Sequence, residues 1–122
     1  MAQIAIVDDN DDTREVIRML LQQEHQCSEF RDGQSFLTHL DSGETTVDLA
    51  LLDIRLPDMD GAELVKIVRG RLDTPFPMIA ITAHVVKDIR HTLLNAGFDE
   101  VLTKPLDFAN MPTVIKRKLE RS

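Results

Sequence analysis

Three unbroken apolar tetrads punctuate the chain: "IAIV" at 4–7, "LALL" at 49–52 and "MIAI" at 78–81. Runs of that length with no polar alternate are what strands show when both faces of a parallel sheet are covered. Val101-Leu102 is a shorter run of the same kind, and 27–30 alternates as an edge strand would. Helical stripes separate them. Val16, Ile17, Leu20 and Leu21 form one and Phe36, Leu37 and Leu40 a second. Leu64, Val65 and Val68 form a third, Val86, Ile89 and Leu93 a fourth, and Met111, Ile115 and Leu119 a fifth. Gly33, Gly61 and Gly97 fall at helix ends, and Pro112 is accommodated if the last helix starts near Asn110. Five strand–helix pairs in strict alternation predict an α/β, doubly wound, five-stranded parallel sheet with helices on both faces. The pattern leaves the strand order open, but it locates a site, because ligands in such sheets bind beyond the carboxyl ends of the strands.

The residues following each buried run are Asp8-Asp9, Asp53, Thr82 and Thr103-Lys104. One sheet edge therefore receives carboxylates, a hydroxyl and an ammonium group. Asp8, Asp9 and Asp53 crowded together would repel one another unless a cation neutralised them. An oxygen-only ligand set suits Mg²⁺, and no Cys/His pair has zinc spacing. Such a cation, with Lys104 and Thr82, makes a receptor for a phosphoryl group. One carboxylate could then act as a nucleophile to give an aspartyl phosphate, and Asp53, at the end of the central strand, is the favoured one.

Composition narrows the partners. A chain of 122 residues fits one domain, residues 1–122, with no separate output domain expected. The net charge of −7 argues against direct nucleic-acid binding, which wants a basic face. The single cysteine, Cys27, points to a reducing, cytoplasmic compartment; "MAQIAIVDDN" lacks the basic start of a signal peptide and no apolar run is long enough to span a bilayer, so no membrane partner is expected.

The motifs "IVDDN" (6–10), "LLDIRLPDMDG" (51–61), "ITA" (81–83) and "TKP" (103–105) occur in an order and at intervals that resemble the receiver domain of two-component response regulators, over essentially the whole chain. The resemblance implies the (βα)5 flavodoxin-like form with sheet order 2-1-3-4-5, carried over from a chemotaxis member of the family. It implies that Asp53 takes a phosphoryl group from a phosphohistidine on a sensor histidine kinase or a histidine phosphotransfer protein, in a two-component system or phosphorelay. Asp9 would bind Mg²⁺ (or Mn²⁺ in its place) directly, Asp8 largely through water, with Asp53 and the main-chain carbonyl of Arg55 as further ligands. Thr82 and Lys104 would contact the phosphoryl oxygens, and Lys104-Pro105 would be cis. The expected product is a signalling switch, not a turnover enzyme, with Mg²⁺-dependent self-phosphorylation and slow autodephosphorylation. Its partners would be that donor and a downstream protein effector, and its state a monomer or weak homodimer.

Where family members often carry Tyr or Phe, three residues before the lysine, this chain has Val101. The expectation is that Val101 packs as a β-branched strand residue while another side chain couples to Thr82. Arg55 and His84, two residues past Asp53 and Thr82, should border the pocket mouth and bear on the phosphate's lifetime, and Ala83, Val101 and Pro105 are further expected modulators of the site.

The other polar residues have plainer readings. Asp48 is expected to be solvated, and Asp58 and Asp60 to favour the positive end of the third helix. His25, His39 and His91 are expected at the surface, and "KRKLERS" (116–122) as cations near a helix C-terminus. Three rivals follow. "DMDG" superficially matches a haloacid-dehalogenase-type phosphatase motif but sits in a loop after Pro57. "DDNDDTRE" lacks the Gly and Glu that a calcium-binding loop needs at its sixth and twelfth positions. The third is a degenerate receiver, a protein-binding module that never takes phosphate, and the presence of all five expected site residues argues against it.

Overall fold

The computed structural model describes residues 2–43, 46–71, 76–83 and 89–120. Strands and helices alternate throughout: β1 (Gln3–Val7), α1 (Asp11–Leu21), β2 (Gln26–Phe30), α2 (Gly33–Ser42), β3 (Leu49–Asp53), α3 (Gly61–Arg71), β4 (Met78–Thr82), α4 (Ile89–Ala96), β5 (Glu100–Thr103) and α5 (Met111–Glu120). All pairings in the sheet are parallel and its order is β2-β1-β3-β4-β5. The strand at 27–30 is therefore an edge, as its alternation predicted. No helix among the described residues is long and apolar enough to cross a membrane.

Strand pleating divides the core in two. Ile4, Ile6, Leu49, Leu51, Ile79 and Ile81 pack with Ile17 and Leu21 of α1 and Met111 and Ile115 of α5. The intervening Ala5, Val7, Ala50, Leu52, Met78 and Ala80 pack with residues of α2, α3 and α4. All five residues of β3, and all five of β4, are buried. This is why their sequences read as continuous apolar runs. Burial of each large aliphatic side chain there contributes about 1.5–3 kcal/mol.

Far from the carboxyl edge, Arg69 of α3 clamps the amino-terminal ends of β4 and β5. Its guanidinium donates to the carbonyls of Phe76 (2.9 Å) and Gly97 (2.9 Å) and to Asp99 Oδ2 (2.7 Å). Asp99 Oδ2 also accepts the Met78 N–H at 2.8 Å.

Two readings of the sequence need correction, those of Val16 and Asp58, while those of Asp48, His25 and His39 gain detail. Val16 is not in the core but 43% exposed, because α1 meets the sheet through Ile17 and Leu21, one turn apart. Asp48 is exposed but engaged: its carboxylate accepts the Gln3 N–H at 2.7 Å and fastens the start of β1. His25 and His39 are partly buried, the first accepting the Ala2 N–H and the second lying 5.0 Å from the Phe30 ring. Asp58 serves α2, not α3, as described below. Val86 and His84 lie outside the described residues. Cys27 is half-buried, and burial pushes its thiol pKa up, as suits a packed residue better than a reactive one.

Candidate functional site

The connections from β1 and β3 leave on opposite sides of the sheet, so a crevice opens at their carboxyl ends. Val7 and Leu52 are register partners, which sets Asp8 beside Asp53. On the other flank Thr82 ends β4 opposite Thr103, and the Lys104 N–H bonds to the Thr82 carbonyl at 2.8 Å. This delivers Lys104 to the same edge.

Asp8, Asp9 and Asp53 each offer a carboxylate oxygen within 4.8 Å of the others. Asp8 and Thr82 are fully buried, Asp53 nearly so, and Asp9 is exposed. Lys104 bridges the two buried acids, its Nζ 3.3 Å from Asp53 Oδ2 and 3.7 Å from Asp8 Oδ2. Asp53 Oδ1 accepts the Arg55 N–H at 2.8 Å.

Asp8 is pinned almost completely. Its N–H donates to the Phe30 carbonyl (3.0 Å), its Oδ1 accepts the Asn10 N–H (2.9 Å), and its carbonyl accepts Arg14 Nη1 (2.5 Å). Its Oδ2 is buried with no hydrogen-bond partner among the described residues. A buried acceptor left alone is costly, and the cost falls when a cation binds it. Burial, reinforced by the Asp53 charge, raises the Asp8 pKa to about 6. An orphaned oxygen beside two more carboxylates, with no nitrogen or sulfur donor in the group, fits a hard divalent cation such as Mg²⁺.

The loop after β3 is closed on itself. The Gly61 N–H bonds to the Ile54 carbonyl at 2.8 Å, and Arg55 and Asp60 form an isolated antiparallel bridge. Asp60 accepts the Ala62 N–H at the start of α3, as expected. Asp58 instead reaches across to α2, accepting the N–H groups of Gly33 and Gln34, each at 2.9 Å. It satisfies two of the donors that every helix start leaves open. Arg55, Ala83 and Pro105 are exposed, and the Lys104-Pro105 peptide is cis. Val101 is buried in the core that faces α2, α3 and α4.

Sequence reading thus named Asp8, Asp9, Asp53 and Lys104, which converge, but missed Arg14 on the Asp8 carbonyl, Asp58 on the start of α2, and Gly61 as a packing constraint. The available signal for Arg14 was a lone cation inside the acidic stretch "DDNDDTRE". Asp58 gave none, since its partners lie 24 and 25 residues away.

Residues 4–116 match the family model for the response regulator receiver domain. The chain is 42% identical over 88 residues to the aerobic respiration control sensor protein ArcB of Escherichia coli strain K12, covering 70% of this chain and 11% of that protein. It is 31% identical over 120 residues to the regulatory protein VanRc of Enterococcus gallinarum, covering 98% of this chain and 50% of that protein. The chain thus spans half or less of the length of these two curated relatives. Among solved structures it superposes on the receiver domain of the TMAO respiratory system response regulator TorR with a TM-score of 0.87 at 29% identity, covering 99% of this chain and 98% of that one. The receiver domain of the Francisella response regulator 1452 gives 0.90 at 21% identity, with coverages of 99% and 98%, a likeness of fold.

Proposed function

Because the chain belongs to the receiver domains of response regulators, we propose that it is a phosphoacceptor in which Asp53 takes a phosphoryl group from a phosphohistidine. The donor would be a sensor histidine kinase or a histidine phosphotransfer protein, in the cytoplasm. The observation that carries the reading is the Lys104 ammonium spanning Asp53 and Asp8 at the carboxyl edge of the sheet. In the transfer, an Asp53 carboxylate oxygen attacks phosphorus and a P–O bond forms. The P–N bond to the donor's imidazole breaks, and its electron pair returns to the ring nitrogen, which is then protonated.

Asp8, Asp9, Asp53 and the main-chain carbonyl of Arg55 would hold Mg²⁺, with Mn²⁺ as a substitute. When bound, that cation supplies neutralising charge to the phosphoryl oxygens. Lys104 adds a second positive charge, and Thr82 donates a hydrogen bond to one of the same oxygens. The phosphorylated domain then acts as a switch through a protein-interaction surface read by a downstream protein effector, with no direct contact to nucleic acid, as a monomer or weak homodimer. With Val101 packed in the core, coupling from Thr82 to that surface runs through side chains other than an aromatic at this position.

Incubation with Mg²⁺ and acetyl phosphate, followed by intact-mass measurement, tests the proposal. Wild type is expected to gain one phosphoryl group and Asp53→Asn none. Wild type that stays unmodified with donor and metal in excess would make the chain a binding module only.

Arg55 sets the timing in this reading. Its side chain is exposed beside the acceptor, where a bulky cation shields the acyl phosphate from water. Arg55→Ala is expected to leave phosphorylation intact and speed dephosphorylation by up to about fivefold, the equivalent of a surface charge contact of about 1 kcal/mol. An unchanged decay time course would refute the shielding role.

A further inference from the structure

Arg14 is the least explained group near the acidic cluster. It lies in the first turns of α1, behind the helix-capping Asn10, whose side chain accepts the Thr13 N–H. Its side chain is only 13% exposed. One guanidinium nitrogen bonds to the Asp8 carbonyl, a second pairs with Asp11, and Nε lies 3.4 Å from Glu29 Oε1. Glu29 is in turn held by Arg18, whose Nε is 2.9 Å from Oε2. A chain of contacts therefore runs from β2 through Glu29 and Arg14 to the peptide joining Asp8 and Asp9.

We propose that Arg14 is a positioning residue for the divalent-cation site, fixing the Asp8–Asp9 peptide so that both carboxylates face Asp53 before the ion arrives. The inference rests on the cation-binding reading of that cluster given above. Asp8 is anchored on its amino side by the Phe30 carbonyl and through Oδ1 by the Asn10 N–H. Arg14 supplies the anchor on its carbonyl side. Without it the peptide is free to rotate, swinging Asp9 relative to Asp53, and ordering the ligands again must be done at the expense of binding. Lysine cannot reproduce a planar fork that serves a carbonyl and two carboxylates together.

Charge and positioning predict opposite signs, which makes the idea testable. Removing a cation that bonds to the Asp8 main-chain carbonyl should, by Coulomb attraction alone, tighten binding of a second cation nearby. Losing the peptide anchor should weaken it. Arg18 is the control, because it also pairs with Glu29 but has no contact with Asp8 among those described.

Mg²⁺ and Mn²⁺ affinities, measured by isothermal titration calorimetry with no phosphodonor, give a readout separate from phosphotransfer. Arg14→Met is expected to weaken both by roughly tenfold, the usual scale for groups that orient metal ligands. Arg14→Lys should recover part of the loss, and Arg18→Met should stay within about twofold of wild type. Circular dichroism establishes that each variant is folded. Should Arg14→Met not fold, Arg14→Gln, which drops both the charge and the reach to Asp8, carries the same expectation. Affinity in the Arg14 variant equal to or tighter than wild type overturns the proposal, as does equal weakening by Arg18→Met. Wild type that binds neither ion overturns the cation-site reading itself, and that result is distinct from normal binding with unaffected variants.

Discussion

Asp8→Asn is expected to make the metal-free protein more stable at pH 7–8 while abolishing its response to Mg²⁺. The Asp8 pKa rises from 3.8 to about 6 on folding, chiefly because burial disfavours the charged form. A raised carboxyl pKa means that the folded state binds the proton more tightly than the unfolded one. Its contribution to stability is therefore fully present below pH 3.8 and is lost as pH rises through about 6. Above pH 6 the ionised Asp8 costs about 2 to 3 kcal/mol, which asparagine removes. The unfolding midpoint of the metal-free variant should then rise by on the order of 10 °C at neutral pH, a gain that shrinks toward pH 4. Added Mg²⁺ should raise the wild-type midpoint, since ligands stabilise the state they bind. It should leave the variant's unchanged. A thermal-melt series over pH, with and without metal, measures both halves. A lower midpoint for the metal-free variant would show that Asp8 is not strained by its burial. The same linkage predicts that wild type loses Mg²⁺ affinity below pH 6, as the proton competes for the carboxylate.

Gly61→Ala should be the most damaging small change near the site, at about 3 kcal/mol. A methyl group there would sit 2.6 Å from Ile54 Cα and 3.0 Å from the Asp53 carbonyl oxygen. Both are main-chain atoms, so relief requires moving the segment that carries Asp53, the proposed phosphoacceptor, and Ile54. Urea unfolding should show the loss of stability, and phosphoryl uptake should slow even where the variant remains folded. Gly70→Ala provides the contrast within α3, because a methyl there meets nothing within 4 Å. It should stabilise by about 0.5–1 kcal/mol through helix propensity alone. Equal effects from the two substitutions would rule out close backbone packing at Gly61.

How much of this was readable beforehand follows from the range of each interaction. β3 and β4 were plain because burial on both faces writes itself into consecutive residues. The convergence of Asp8, Asp53, Thr82 and Lys104 was legible because parallel strands must present their carboxyl ends to one edge. Strand order was not, since nothing in a buried run names its neighbour; it came from family resemblance. Val16 was misplaced because its apolar side chain adjoins the true stripe of Ile17 and Leu21 by one residue, and periodicity cannot resolve a step that small. Asp58 and Arg14 were opaque for a different reason. The first lies in a loop that folds against another helix, and the second reaches a carbonyl, which every residue possesses. Their roles belong to the tertiary arrangement alone.

The grip of Asp58 on the amides of Gly33 and Gln34 has a practical consequence. Those two protons belong to a helix start, yet their shielding depends on a loop whose other end begins at Asp53. In a nitrogen–proton correlation spectrum of uniformly labelled protein they become natural probes of that loop, needing no engineered residue. Displacement of the loop is expected to change their chemical shifts and solvent-exchange rates, about 20 residues upstream of the proposed phosphorylation at Asp53.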